Sequence, residues 1–136
     1  MWRTWLPPAA YAALIFYLSS IPGLAPPVDL NNADKLAHLL EYGGFGLLLF
    51  RAAWREWRPR ARTWAPLFTL GVGAATAALD EYFQGTVGRN RSAADWAMDV
   101  AGLAGAALVG LRVTRGALRV RGSGASGSGG SGSDDR

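Results

Sequence analysis

Residues 63–79 read TWAPLFTLGVGAATAAL, seventeen positions without a charge, followed at once by Asp80-Glu81. Extended to Gln84, the run makes a helix of about 30 Å at about 1.5 Å per residue, which matches the hydrocarbon thickness of a bilayer. A helix on a soluble domain carries a polar face along its length. Here the polarity is held back to one end, so the stretch reads as a lipid-crossing helix that places two acids at its C-terminus.

The rest of the chain repeats this pattern. Thr4 to Val28 contains no charged residue, and a helix-length core runs from about Trp5 to Ser20, before Pro22. A secretory signal is the competing reading, but its charged flank would be Arg3 alone and Pro7-Pro8 interrupts it. Leu36 to Trp54 is apolar except for His38, Glu41 and Arg51, and Asp95 to Val113 except for Asp95, Asp99 and Arg112. Four short membrane helices are expected, forming an all-α bundle over residues 1–115. Nine of the 18 glycines fall in or beside these segments, where small residues let membrane helices approach closely. Residues 116–136 read as a basic and then Gly/Ser-rich flexible tail, with coil expected from Gly122 to Ser133.

Half of the 136 residues are hydrophobic and only 18% are charged, against about a quarter in soluble domains. Without cysteine there is no disulfide, thiolate metal site or cysteine nucleophile, and one histidine excludes a multi-histidine centre within one copy. The net charge of +4 is unevenly divided. The side holding the N-terminus, the loop between the second and third helices and the tail has eleven arginines against three acids, a net +8. The opposite side has three basic residues against seven acidic, a net −4. The positive-inside rule makes the arginine-rich side cytoplasmic, which puts both termini inside and requires an even number of spans. Membrane lipids then account for the basic residues, and nucleic acid is not an expected partner.

On the non-cytoplasmic side the polar groups converge. Asp34, His38 and Glu41 or Tyr42 share a face at the start of helix 2. Asp80, Glu81 and Gln84 close helix 3, a loop carries Arg89, Arg91 and Ser92, and Asp95 and Asp99 open helix 4. Ordinary structural roles cover some of these. Asp34 and Asp95 sit where a carboxylate suits a helix N-terminus, and Ser92 to Asp95 has capping-box spacing. His38 and Tyr42 fit an interface, as do Trp2, Trp5, Trp54, Trp57, Trp64 and Trp96 near the boundaries. Asp80 and Glu81 do not fit so easily, being adjacent acids at a helix C-terminus, where the dipole disfavours negative charge. Nor does Asp99, more than a turn inside its helix, where a charge costs about 2.5–3.5 kcal/mol.

The ordered set Asp34-Lys35-x-x-His38-x-x-x-Tyr42, Asp80-Glu81-x-x-Gln84 and Gly88-Arg89-x-x-Ser92-x-x-Asp95-x-x-x-Asp99-x-x-Gly102 resembles the VanZ-like family of small bacterial membrane proteins. Ser19-Ser20-Ile21-Pro22 is similar to the family's ending of the first helix. Departures are Val87 where members usually carry proline, a spacer from Gln84 to Arg89 about one residue short, and Asp99 where asparagine is frequent. The resemblance covers roughly residues 5 to 112. It implies a multi-pass protein of the bacterial plasma membrane, in a family whose founding member is linked to reduced sensitivity to the lipoglycopeptide teicoplanin.

The resulting expectation is a ligand-binding cluster of Asp34, Lys35, His38, Tyr42, Asp80, Glu81, Gln84, Arg89, Ser92, Asp95 and Asp99. Its expected ligand is an envelope lipid, a lipid-linked cell-wall precursor or a lipoglycopeptide, with guanidinium groups suited to phosphate or carboxylate and Tyr82 and Trp96 flanking an amphiphile. The alternative is a membrane-embedded hydrolase or transferase with His38, Asp80 and Glu81 as catalytic candidates, in which His38 acts as base or acid oriented by Asp34 or Glu81, with Asp80, Glu81 and Asp95 available to a divalent cation. No recognised catalytic motif is present, and no metal or cofactor is assigned. A proton-coupled carrier is a lower reading, resting on Asp99.

Overall fold

The computed structural model describes residues 2–21, 33–58, 60–88 and 92–125, with side chains described through residue 117. The described residues form four helices and no strand: α1 (Trp2–Ser19), α2 (Ala33–Glu56), α3 (Ala61–Thr86) and α4 (Ala93–Ala125). Each apolar segment of the sequence is one helix, and α2 and α3 extend two or three residues past their apolar limits. The breaks come where the backbone is least suited to continue. α1 ends shortly before Pro22, in line with the bias of a pre-proline residue away from helical geometry. Beyond α3, Gly88 takes φ 81° and Val87 N–H donates to Gln84 O, so glycine occupies the left-handed position that follows a helix end.

One boundary differs from the sequence reading. α4 continues to Ala125, past the expected domain limit at 115 and through Gly122–Ala125, which the composition assigned to coil. A helix already nucleated gains a hydrogen bond for each residue it adds, an effect that composition alone understates. Residues 126–136 lie outside the described residues.

Helices α2, α3 and α4 pack mutually, and α1 lies against α2 and α3. The closest pair is α2 with α4. A Cβ at Gly102 would meet the Leu39 carbonyl oxygen and lie 2.8 Å from Gly43 N, and one at Gly46 would lie 2.8 Å from Ala106 Cβ. The small residues therefore set the inter-helix distance, as in close-packed membrane helices. Between the helices, Ile15, Tyr42, Phe45, Leu49, Ala77 and Leu103 form one buried cluster, and Phe50, Ala53, Ala65 and Ala107 a second.

Many large apolar side chains stand on the outer surface. Leu14, Leu40, Leu47, Leu67, Leu79, Leu108, Val109 and Val113 are all exposed. Tryptophans divide in a way the sequence did not indicate. Trp2 and Trp64 face outward as expected of boundary residues. Trp5 and Trp57 instead turn onto Phe68, with ring centroids 5.3 and 4.8 Å from it, and Trp54 stacks on Phe50 at 5.6 Å. These rings close the arginine-rich end of the bundle.

By length and composition, one helix among the described residues is long and apolar enough to cross a membrane, α4 over Ala93–Ala117. The first turns of α2 carry Asp34, Lys35, His38 and Glu41, and α3 ends in Asp80 and Glu81.

Candidate functional site

The antiparallel order brings the C-terminal ends of α1 and α3 beside the N-terminal ends of α2 and α4. Spacing decides which side chains turn inward there. His38 and Tyr42 are one turn apart on α2, Asp80 and Gln84 one turn apart on α3, and Asp95 and Asp99 one turn apart on α4. All six are buried, as is Glu81, with Tyr42 and Asp99 at 0% exposure.

Three hydrogen-bonded groups result. In the first, Gln84 Nε2 donates to Asp80 Oδ2 at 2.9 Å and reaches Ser19 Oγ at 3.4 Å, tying α3 to the end of α1. In the second, His38 Nδ1 donates to Asp99 Oδ1 at 2.9 Å, joining α2 to α4 across 61 residues of sequence. In the third, Glu81 Oε2 accepts from Ser92 N–H at 2.8 Å, and Ser92 Oγ accepts from Asp95 N–H at 3.2 Å. The serine half of the expected capping box is thus formed, while Glu81 of α3 accepts from the Ser92 N–H that the box would leave to Asp95. Glu81 thereby anchors the entry to α4.

Four buried polar atoms have no hydrogen-bond partner among the described residues: Tyr42 OH, Asp80 Oδ1, Glu81 Oε1 and Asp99 Oδ2. Leaving such an atom unsatisfied costs about 1–3 kcal/mol, and more when it is charged. Four of the buried residues are carboxylates, and His38 is the one buried basic side chain among the described residues. A buried carboxylate is tolerated when it meets a cationic side chain, a bound cation or a proton.

The structure sorts the expected site residues. His38, Asp99, Glu81, Ser92 and Asp95 come together, and Asp80 joins Gln84. Asp34 is exposed at the mouth, yet His38, Asp95 and Asp34 each offer a ligand atom within 4.8 Å of the others. A second such group is His38, Glu81 and Asp99. The trio Asp80, Glu81 and Asp95, expected to serve a cation in the enzymatic reading, is not among these groups, because Asp80 is directed to Gln84. Lys35 is half-buried and forms no ion pair among the described residues. Tyr42 is not an interfacial ring but a core residue packed edge-on against Phe45 at 6.0 Å. Arg89 lies outside the described residues. Ser19 was not among the expected site residues; its position as the last polar group of α1, level with the polar end of α3, was the available signal.

Beside the cluster, Ala78, Glu81, Tyr82, Ser92, Ala93 and Trp96 line an open groove of about 350 Å³. Trp96 Nε1 donates to Ala74 O at 3.2 Å, which fixes the indole against α3. The groove therefore has two aromatic walls and, at its polar edge, Glu81 and Ser92.

No protein family, curated protein or solved structure matches the chain.

Proposed function

We propose that the chain is a four-span protein of the bacterial plasma membrane, of the VanZ-like type, whose polar end opens outward and seats the headgroup of an envelope amphiphile. The observation that carries this reading is the inverted polarity of the bundle: large apolar side chains face out, while His38, Asp80, Glu81, Gln84, Asp95 and Asp99 are turned inward at one end. In water such an arrangement would expose a large apolar area that soluble monomers avoid. In lipid it leaves the hydrocarbon facing hydrocarbon and gathers the costly groups away from it. Among the described residues α4 is the one helix long and apolar enough to cross a membrane, and the charged residues of α2 and α3 lie largely near their ends or inside the bundle.

The groove supports the second half of the reading. Tyr82 and Trp96 offer apolar faces at the level where a lipid chain meets its headgroup, and Ser92 and Glu81 lie next to them. A lipid-linked cell-wall precursor or a lipoglycopeptide has this two-part chemistry. Catalysis on such a lipid is the second reading, favoured by the imidazole of His38 held by Asp99, the geometry of an oriented general base.

Two experiments test the proposal. Single cysteines introduced as Arg58→Cys and Thr86→Cys, both at exposed positions, are treated with an impermeant maleimide on intact cells. Labelling at 86 and none at 58 is expected, and the reverse pattern would place the polar end in the cytoplasm. Surface binding of a fluorescent lipoglycopeptide is then compared among cells carrying the wild type, Trp96→Ala or vector, and equal binding in all three refutes the amphiphile seat. Incubation with an undecaprenyl-type lipid, followed by mass spectrometry, separates the catalytic reading: turnover lost in His38→Ala supports it, and no product removes it.

A further inference from the structure

We infer that His38, Glu81 and Asp99 form a binding site for one first-row divalent cation, of the zinc or manganese kind. The inference stands independently of the amphiphile seat. One ligand atom from each residue lies within 4.8 Å of the other two, and all three residues are buried. Metal bonds to imidazole nitrogen and carboxylate oxygen are about 2.0–2.2 Å long, so donors on one tetrahedral ion lie about 3.3–3.6 Å apart. A pair at the 4.8 Å limit closes by about 1.5 Å at most to reach that spacing, which side-chain rotation supplies.

The unsatisfied atoms are a second observation. Asp99 Oδ2 and Glu81 Oε1 have no partner among the described residues, and Glu81 is held through Oε2 by Ser92 N–H. On binding, the hydrogen bond between His38 Nδ1 and Asp99 Oδ1 gives way to bonds from both residues to the ion, and the imidazole proton is released. The Ser92 N–H bond orients Glu81 as outer hydrogen bonds orient metal ligands. Charge points in the same direction. Asp80, Glu81, Asp95 and Asp99 are buried at this end, where His38 is the one buried basic side chain among the described residues, and a divalent cation offsets two of those charges at once.

The donor set narrows the ion. One nitrogen and two carboxylate oxygens form a mixed set, which suits zinc or manganese better than the all-oxygen surroundings preferred by magnesium and calcium. There is also a route in. The group Asp34, His38 and Asp95 shares His38 with the inner group, and Asp34 is exposed. An ion can bind first at this outer group and then pass His38 to the inner oxygens. Three protein ligands would leave a coordination position open, next to the Glu81 and Ser92 edge of the groove.

His38 is the only histidine in the chain, so the wild type alone can be decisive. The full chain, purified in detergent with no polyhistidine tag, is titrated with Mn²⁺ and followed by electron paramagnetic resonance, with Zn²⁺ as competitor. One ion per chain is expected, carrying hyperfine coupling to an imidazole nitrogen that can come only from His38. Glu81→Gln and Asp99→Asn should each weaken binding roughly tenfold or more, and Glu56→Gln at the opposite end should not. Circular dichroism verifies that each protein is helical. A folded wild type that binds neither ion, or that binds Mn²⁺ without nitrogen coupling, overturns the site. Unchanged affinity in folded Glu81→Gln and Asp99→Asn overturns it as well.

Discussion

Gly102 is where the packing of the bundle and the assembly of its polar end meet, and Gly102→Ala puts the connection to a test. The added methyl would lie 2.8 Å from Gly43 N and still closer to the Leu39 carbonyl oxygen, whereas ordinary contacts begin near 3.4 Å. Both neighbours are backbone atoms of α2, so no side-chain rotation relieves the clash, and α4 has to retreat by about 1 Å. Asp99 is one turn before Gly102, and His38 precedes Leu39. The same retreat therefore stretches the 2.9 Å His38–Asp99 contact beyond hydrogen-bonding range. Overpacking costs about 1–3 kcal/mol, and loss of the charge-assisted bond about 1.5–3 kcal/mol. Alanine's better helix propensity returns about 1 kcal/mol. The expected net loss is about 3 kcal/mol. Gly105→Ala is the control in the same helix. Nothing lies within 4 Å of its added Cβ, so it should gain about 0.5–1 kcal/mol. Reversible unfolding in mixed micelles, followed by circular dichroism, measures both. Shifts of the same sign and size would refute the close α2–α4 contact and with it the stated geometry of the polar end.

Two further outcomes are expected. In a double-mutant cycle on His38→Leu and Asp99→Leu, His38→Leu alone should cost about 3–5 kcal/mol because it strands a buried acid, while the double variant should recover much of that loss; strictly additive effects would mean that the pair is not coupled. Trp57→Ala should destabilise the bundle by about 2–4 kcal/mol through loss of packing on Phe68 and Trp5, measured by the same unfolding assay, whereas Trp64→Ala at an exposed position should change stability by less than about 0.5 kcal/mol.

Sequence alone determined the number of helices, their approximate ends except that of α4, and which polar residues share a level. Apolar runs select helices of 18 to 33 residues, Pro22 and Gly88 lie just beyond the ends of α1 and α3, and antiparallel succession sends alternate ends to the same side. Within a helix, even side-chain partners were legible, since Asp80 and Gln84 are four residues apart and four residues make about one turn. Partners on different helices were not. His38 meets Asp99, and Glu81 takes over the capping of Ser92, because of the rotation of each helix about its axis. That rotation is set by where Gly102 and Gly46 let α4 approach α2. Tertiary packing likewise decided that Tyr42 and Trp57 turn inward, although composition gave them the look of interface residues, because a ring is buried or exposed according to the neighbours that surround it. It also decided which carboxylate oxygens are left unsatisfied, for that depends on hydrogen bonds arriving from a second helix, and no local pattern in one segment records them.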